Sequence, residues 1–247
     1  LKSLLMRAVF SLKPIGPKGA RGKNYAVRWQ LEEERSTELL ERCKAEGVTV
    51  HAALSVAFLE AYKGVKQGEA KNRVICPVDI RRYVREIKKD MMFAFAPIVE
   101  LKMNGVGFWD RCRSLKDELT EKVSAIRAYE LLLHSEYYHP VAKRLVRWLC
   151  ADAGTHDFTF SNMGRLDLPE RYETFAVEAV YSPTVAFPWK NPTTIVVSSF
   201  AGRMDFAYVS NTIYTRYDEA LAIRDWTMGI LRDAVAGSIV IVKIDSR

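Results

Sequence analysis

Two short runs carry the side chains best suited to chemistry. Cys76-Pro77-Val78-Asp79-Ile80-Arg81-Arg82 reads as a strand end running into consecutive arginines. A guanidinium placed there can clamp a carboxylate or phosphate, or it can lock a loop carboxylate such as Asp79. Phe158-Thr159-Phe160-Ser161-Asn162-Met163-Gly164-Arg165 delivers Ser-Asn into a glycine turn at the end of another strand. Such a turn presents polar side chains and backbone N–H groups to a ligand channel, or it merely reverses the chain.

The histidines narrow the reaction classes. There are four, His51, His134, His139 and His156, and none is paired with an Asp or Glu at a metal-binding helical spacing. His51 falls just inside a helix start and reads as structural. His134 and His139 flank Glu136-Tyr137-Tyr138 in a turn between helices and read as solvated. His156, beside Asp157 at the head of a strand, is the general-base candidate, with a structural role as the alternative. No GxSxG elbow, Walker loop or GxGxxG motif occurs, which argues against serine hydrolase, P-loop and Rossmann chemistry. Asp79, Asp90, Asp157 and Asp167 fall on separate elements, so no paired-carboxylate glycosidase site is expected. Cys43, Cys76, Cys112 and Cys150 are each more than 30 residues apart. That spacing fits neither zinc nor a disulfide framework, and implies reduced thiols in a cytoplasmic protein.

The elements that must position these residues follow from pattern. Leu1 to Leu12 has the apolar spacing of a helical stripe, and a Pro-, Gly- and Lys-rich linker runs to Asn24. Residues 1–30 hold seven basic side chains and no acidic one, which leaves 30 basic against 30 acidic in the rest. The net charge of +7 therefore belongs to the N-terminal arm, and the body is not the basic surface of a nucleic-acid binder. The arm reads as a helix and crossover from something upstream; a membrane-surface role is the alternative. No apolar run approaches the ~18 residues of a membrane span. The interrupted start at Leu1 is unlike a secretory signal and suggests an excised piece.

Strands are expected at 25–31, 73–80, 93–103, 157–162, 174–180, 194–200 and 203–209, with Ala201-Gly202 as a hairpin turn. Helices are expected at 32–46, 50–62, 108–133, 140–150 and 216–235, with Gly47 and Gly237 as stops and Thr49 as a cap. This mixture predicts an α/β two-layer sandwich of a mixed sheet with helices packed on it.

In order and spacing, five pieces resemble the C-terminal subdomain of the condensation-domain and alcohol O-acetyltransferase superfamily, of chloramphenicol-acetyltransferase-like fold. They are Leu39 to Leu54, Pro77-Val78-Asp79-Ile80-Arg81, Met92-Phe93-Ala94-Phe95-Ala96, Phe160-Ser161-Asn162-Met163-Gly164, and the pattern from Thr194 to Val235. The resemblance implies residues 1–24 as a link from an upstream half and 25–247 as the acyltransferase-like subdomain. It implies transfer of an acyl group from a CoA or carrier-protein phosphopantetheine thioester to a small-molecule alcohol or amine, with no tightly bound cofactor and no metal. The family's base is the second His of a His-His-x-x-x-Asp-Gly motif on the N-terminal subdomain. This sequence has no such motif, so no catalytic residue is assigned and the chain alone is expected to be inactive. Arg81, Ser161, Asn162 and Gly164 would approach the channel, and Phe93 and Phe95 would line an acyl or pantetheine tunnel. The implied partners are the His-bearing subdomain and a carrier protein, and the lone chain should self-associate through the face its partner covers. A non-catalytic binding or scaffold module of the same fold is the alternative function.

Overall fold

The computed structural model describes residues 22–237 apart from 89–90, 94, 152–153 and 186–190, together with 8, 9 and 11. The predicted N-terminal linker falls largely outside the described residues; of the helix before it, positions 8, 9 and 11 are helical. The strands are β1 (Asn24–Leu31), β2 (Arg73–Pro77), β3 (Ile98–Lys102), β4 (Phe158–Arg165), β5 (Thr194–Phe200) and β6 (Arg203–Asn211). The helices are α1 (Glu33–Ala45), α2 (Val50–Lys66), α3 (Phe108–Ser124), α4 (Ala128–Tyr138), α5 (Ala142–Ala151) and α6 (Tyr217–Ala236).

The six strands form one sheet in the order β1-β6-β5-β4-β2-β3. The β2–β4 and β4–β5 pairs are parallel and the other three antiparallel, so the sheet is mixed as expected. Alternation sorts its side chains. Val27, Val74, Cys76, Leu101, Phe158, Phe160, Ile195, Val197, Phe206 and Tyr208 face one core with residues of α1, α2, α3 and α6. Helix α2 is the centre of that core. It buries every residue from Ala52 to Leu59, and then Ala61 and Tyr62. Phe58 meets the rings of Trp29, Phe158, Phe160 and Phe206, with centroids 5.9–6.5 Å apart. Trp29 stacks on its cross-strand partner Phe206 at 5.0 Å.

The punctuation read from the sequence is in place. Ala52 N–H donates to Thr49 Oγ1 at 3.2 Å, capping α2. Gly47 and Gly237 adopt positive φ, 68° and 73°, at the stops of α1 and α6. Ala201 and Gly202, with φ of 47° and 76°, turn β5 into β6 as a primed hairpin turn does.

Three expectations need correction. Residues 174–180 are not a strand; one isolated bridge joins Arg171 to Ala176. The reason is local: the Tyr172 N–H donates to the Phe175 carbonyl and the Val177 N–H to that of Glu170, each at 2.8 Å, so the segment turns back on residues 170–172 instead of joining the sheet. The strand expected at 93–103 begins at Ile98, directly after Pro97, which has no N–H to give a ladder. The long helix expected at 108–133 breaks after Ser124, which carries Ile126, Ala128 and Leu132 into a second apolar cluster with Val78, Ile80 and Val84. Tertiary burial overrides helical continuity here.

Replacing Phe58 by Ala should cost about 3–5 kcal/mol, the range for deleting a buried aromatic. Thr49→Ala should cost about 1 kcal/mol through the lost cap. Urea unfolding of the two variants measures both; equal losses would contradict the central place given to Phe58.

Candidate functional site

The parallel strands β2 and β4 pair only at Val74–Phe158 and Ile75–Thr159. Beyond that point each follows its other neighbour. β2 continues against β3 through Cys76–Val99 and Pro77–Ile98. β4 continues along β5 to Asn162–Val197 and, past a bulge, to Arg165–Ser199. Two local causes act together: Pro77 lacks a ladder donor, and Gly164 with φ of 69° turns the bulge. The sheet thus opens at the carboxyl ends of two parallel strands, the end at which open α/β sheets receive ligands.

His51 packs on the core side of the two strands at this end. The Thr49 cap starts α2 beside the end of β2, and His51 lies in its first turn. His51 Nε2 is 3.4 Å from Cys76 Sγ, and the imidazole is tilted against Phe160 at 5.0 Å between centroids. Burial holds the His51 pKa down to about 4 and pushes the Cys76 thiol up to about 12. At pH 7 the pair is therefore neutral imidazole and thiol. A thiolate–imidazolium nucleophile needs the opposite shifts, so this is no cysteine-protease-like dyad.

The residues singled out by sequence fall on the two sides of the opening. On the β4 side, Asn162 follows Phe160 on the same strand face by alternation, while Ser161 points to the other. Asn162 Oδ1 accepts the Gly164 N–H at 2.8 Å, which fixes the bulge. On the β2 side, Arg81 Nε lies 3.0 Å from both Asp79 carboxylate oxygens, and Nη2 donates to Oδ2 at 2.6 Å. These bonds hold the Asp79 carboxyl below its ordinary range. Arg81 is thus engaged in the loop ion pair that was the alternative to a ligand clamp. Phe93 and Phe95, half-buried, pack against the Val78–Ile80–Val84 cluster next to that loop. Among the described residues no hydrogen bond or ring contact joins the Arg81–Phe93–Phe95 group to the Ser161–Asn162–Gly164 group.

His156 lies at the other end of the sheet. Its ring sits on Gly154, where a Cβ would come within 2.7 Å of it. The neighbouring Asp157 carboxylate accepts the N–H groups of Lys71 at 2.8 Å and Arg73 at 3.1 Å, tying the start of β2 to the start of β4. Burial raises the Asp157 pKa against those bonds. The general-base candidate of the sequence is thus part of a structural knot. His51, read as structural, is the histidine that packs on Cys76 and Phe160, and no local signal marks that contact. An open depression of about 600 Å³ lies at the start of α1, lined by Glu32, Glu33, Glu34, Glu38, Glu41 and Arg203. Its carboxylates would repel a phosphorylated donor. Among the described residues no cluster of three or more His, Cys, Asp or Glu could hold a metal ion, and no helix is long and apolar enough to cross a membrane. Cys43, Cys76 and Cys112 are buried free thiols; the Cys150 side chain lies outside the described residues.

No protein-family model matches the sequence, and no curated protein is similar to it. Solved structures are. The trichothecene 15-O-acetyltransferase of Fusarium sporotrichioides superposes with a TM-score of 0.64 at 13% identity, over 95% of this chain and 52% of that one. A wax ester synthase/diacylglycerol acyltransferase from Marinobacter aquaeolei VT8 gives 0.59 at 12% identity, over 96% and 56%. The cyclization-docking bidomain of the EpoB peptide synthetase from Sorangium cellulosum gives 0.59 at 13%, over 95% and 48%. The chain has the α/β fold of CoA-dependent acyltransferases and condensation domains, as the sequence led us to expect, and spans about half the length of these structures.

The folded-state pKa of His51, about 4, lies below its ordinary 6.5. Between those values the unfolded chain binds the proton more tightly, so the stability from neutral His51 is complete above pH 6.5 and is lost as the pH falls towards 4. His51→Gln should flatten the slope of stability against pH across that window, measured by urea unfolding; an unchanged slope would contradict the assignment.

Proposed function

We propose that this chain is the C-terminal half of an acyltransferase, residues 25–247 following a link at 1–24, and that it forms one wall of a cleft between two subdomains. The observation that carries this reading is that nearly the whole chain fits about half of acyltransferase and condensation-domain structures; the pieces Pro77–Arg81 and Phe160–Gly164, at the ends of β2 and β4 where their pairing stops, support it. The donor is an acyl thioester of CoA or of a carrier protein's phosphopantetheine, and the acceptor is an alcohol or amine. In the reaction an imidazole from the other half takes the acceptor's proton as its oxygen or nitrogen attacks the thioester carbonyl, and the thiol leaves with a proton.

This chain's own residues then shape and orient. Asn162 holds the Gly164 bulge that keeps β4 away from β2. The Arg81–Asp79 pair fixes the loop after β2, with Phe93 and Phe95 packed beneath it as tunnel wall. The other half would cover apolar side chains that this chain leaves exposed, such as Met92, which is 100% exposed.

In the full-length protein, Arg81→Ala and Asn162→Ala should each lower kcat/KM for acyl transfer at least about tenfold, the effect of misplacing groups at a reacting centre. Unchanged values for both would remove this site. The chain by itself should transfer no acyl group from acetyl-CoA and should self-associate at roughly tens of micromolar, as exposed apolar patches favour; light scattering of a stable monomer would contradict the second point.

A further inference from the structure

Asparagine is a thermolabile residue, and of the six in this chain only Asn104 precedes a glycine. The pairing matters because a main-chain N–H reaches the preceding Asn side chain best when it is exposed, unbonded and not screened by a Cβ. The turn between β3 and α3 meets each condition. Asn104 and Gly105 are both exposed. The Gly105 N–H donates to no group among the described residues, while its carbonyl accepts from Arg111 Nε at 3.2 Å. The Asn104 side chain makes one long bond among them, from Nδ2 to the Lys102 carbonyl at 3.3 Å. Gly105 has a φ of 110°, which a residue with a Cβ rarely adopts.

The other asparagines are blocked. Pro192, after Asn191, has no N–H. The N–H groups of Arg73 and Thr212, which follow Asn72 and Asn211, donate to Asp157 at 3.1 Å and to the Lys23 carbonyl at 3.0 Å. Asn24 lies in the β1–β6 ladder with its Oδ1 accepting from Asn211 Nδ2 at 2.8 Å, and Asn162 Oδ1 is held by the Gly164 N–H.

We propose that the Asn104–Gly105 step is a site of spontaneous covalent modification, with water as the only reagent. Hydroxide takes the Gly105 amide proton, and the nitrogen attacks Asn104 Cγ. The Cγ–Nδ2 bond breaks, and ammonia leaves with a proton taken from water, which restores the hydroxide. The succinimide ring so formed adds water at either of its carbonyls. One opening leaves Asp at position 104; the other leaves an isoaspartyl link, with an extra methylene in the main chain. This modification does not depend on the acyltransferase reading. It does touch the packing of α3. Arg111, which holds the Gly105 carbonyl, also pairs through Nη1 with Glu60 of α2 at 2.7 Å. The isoaspartyl link lengthens the turn at that anchor and loosens the tie of α3 to α2.

The test is to age the folded full chain at neutral and at alkaline pH and to follow its tryptic peptides by mass spectrometry. The peptide Met103–Arg111 should gain the mass that separates Asp from Asn and split into two chromatographic species. It should do so ahead of every other asparagine peptide, and faster at the higher pH. Asn104→Gln, whose side chain would have to close a larger ring, should lose the conversion. The urea midpoint of the wild type should fall on ageing while that of Asn104→Gln holds. No conversion at Asn104, earlier conversion at another asparagine, or equal rates at the two pH values overturns the proposal. Conversion with an unchanged urea midpoint overturns the coupling through Arg111.

Discussion

The burial of α2 is the constraint on which the rest depends. A helix apolar on nearly every side can be stable only between two layers, so the sheet must lie beneath it and α3 and α6 must flank it. Phe58 sits where β1, β4 and β6 present their rings, and Tyr62 stacks on Phe158 at 5.0 Å one turn further on. Tyr62 and Tyr208 hydroxyls bond to each other at the far end, so these two buried hydroxyls satisfy one another. Once α2 is fixed in this way, its first turn is fixed as well, and His51 is carried to the end of β2.

The same packing explains why one end of the sheet is closed and the other open. At the start of β2 and β4, Asp157 gathers backbone N–H groups from Lys71 and Arg73, which binds the two strands, and Asn191 donates to the carbonyls of His156 and Asp157, which ties the approach to β5 to β4. At their far ends Pro77 and the Asn162–Gly164 bulge remove the ladder. A parallel pair that is knotted at one end and parted at the other is a wedge, with the Arg81–Asp79 pair after one strand and the Asn162–Gly164 bulge on the other.

Much of this was readable from residues. Caps and stops at Thr49, Gly47 and Gly237 and the Ala201-Gly202 turn follow local rules, and the alternation of β1, β5 and β6 marked their faces. What local rules could not supply was competition. The alternating run at 174–180 looks like a strand, yet its backbone bonds back to residues 170–172. The 108–133 run is continuous in helical pattern, yet the second cluster draws Ile126 and Ala128 out of line. The site was half visible: Asn162 and Gly164 announce a bulge, and Arg81 beside Asp79 announces an ion pair. The setting of His51 was not, because it depends on Cys76 and Phe160, which are 25 and 109 positions away in the chain and meet it only through tertiary structure.

The central claim is that the parting of β2 and β4 is where an acyl thioester lies. Amide hydrogen exchange of the full-length protein with and without acetyl-CoA addresses it most directly. Exchange should slow at 76–80 and 160–164 on binding, with the amides of Lys71 and Arg73 at the knotted end unchanged. Protection confined to the knotted end, or to the acidic depression at the start of α1, would contradict it.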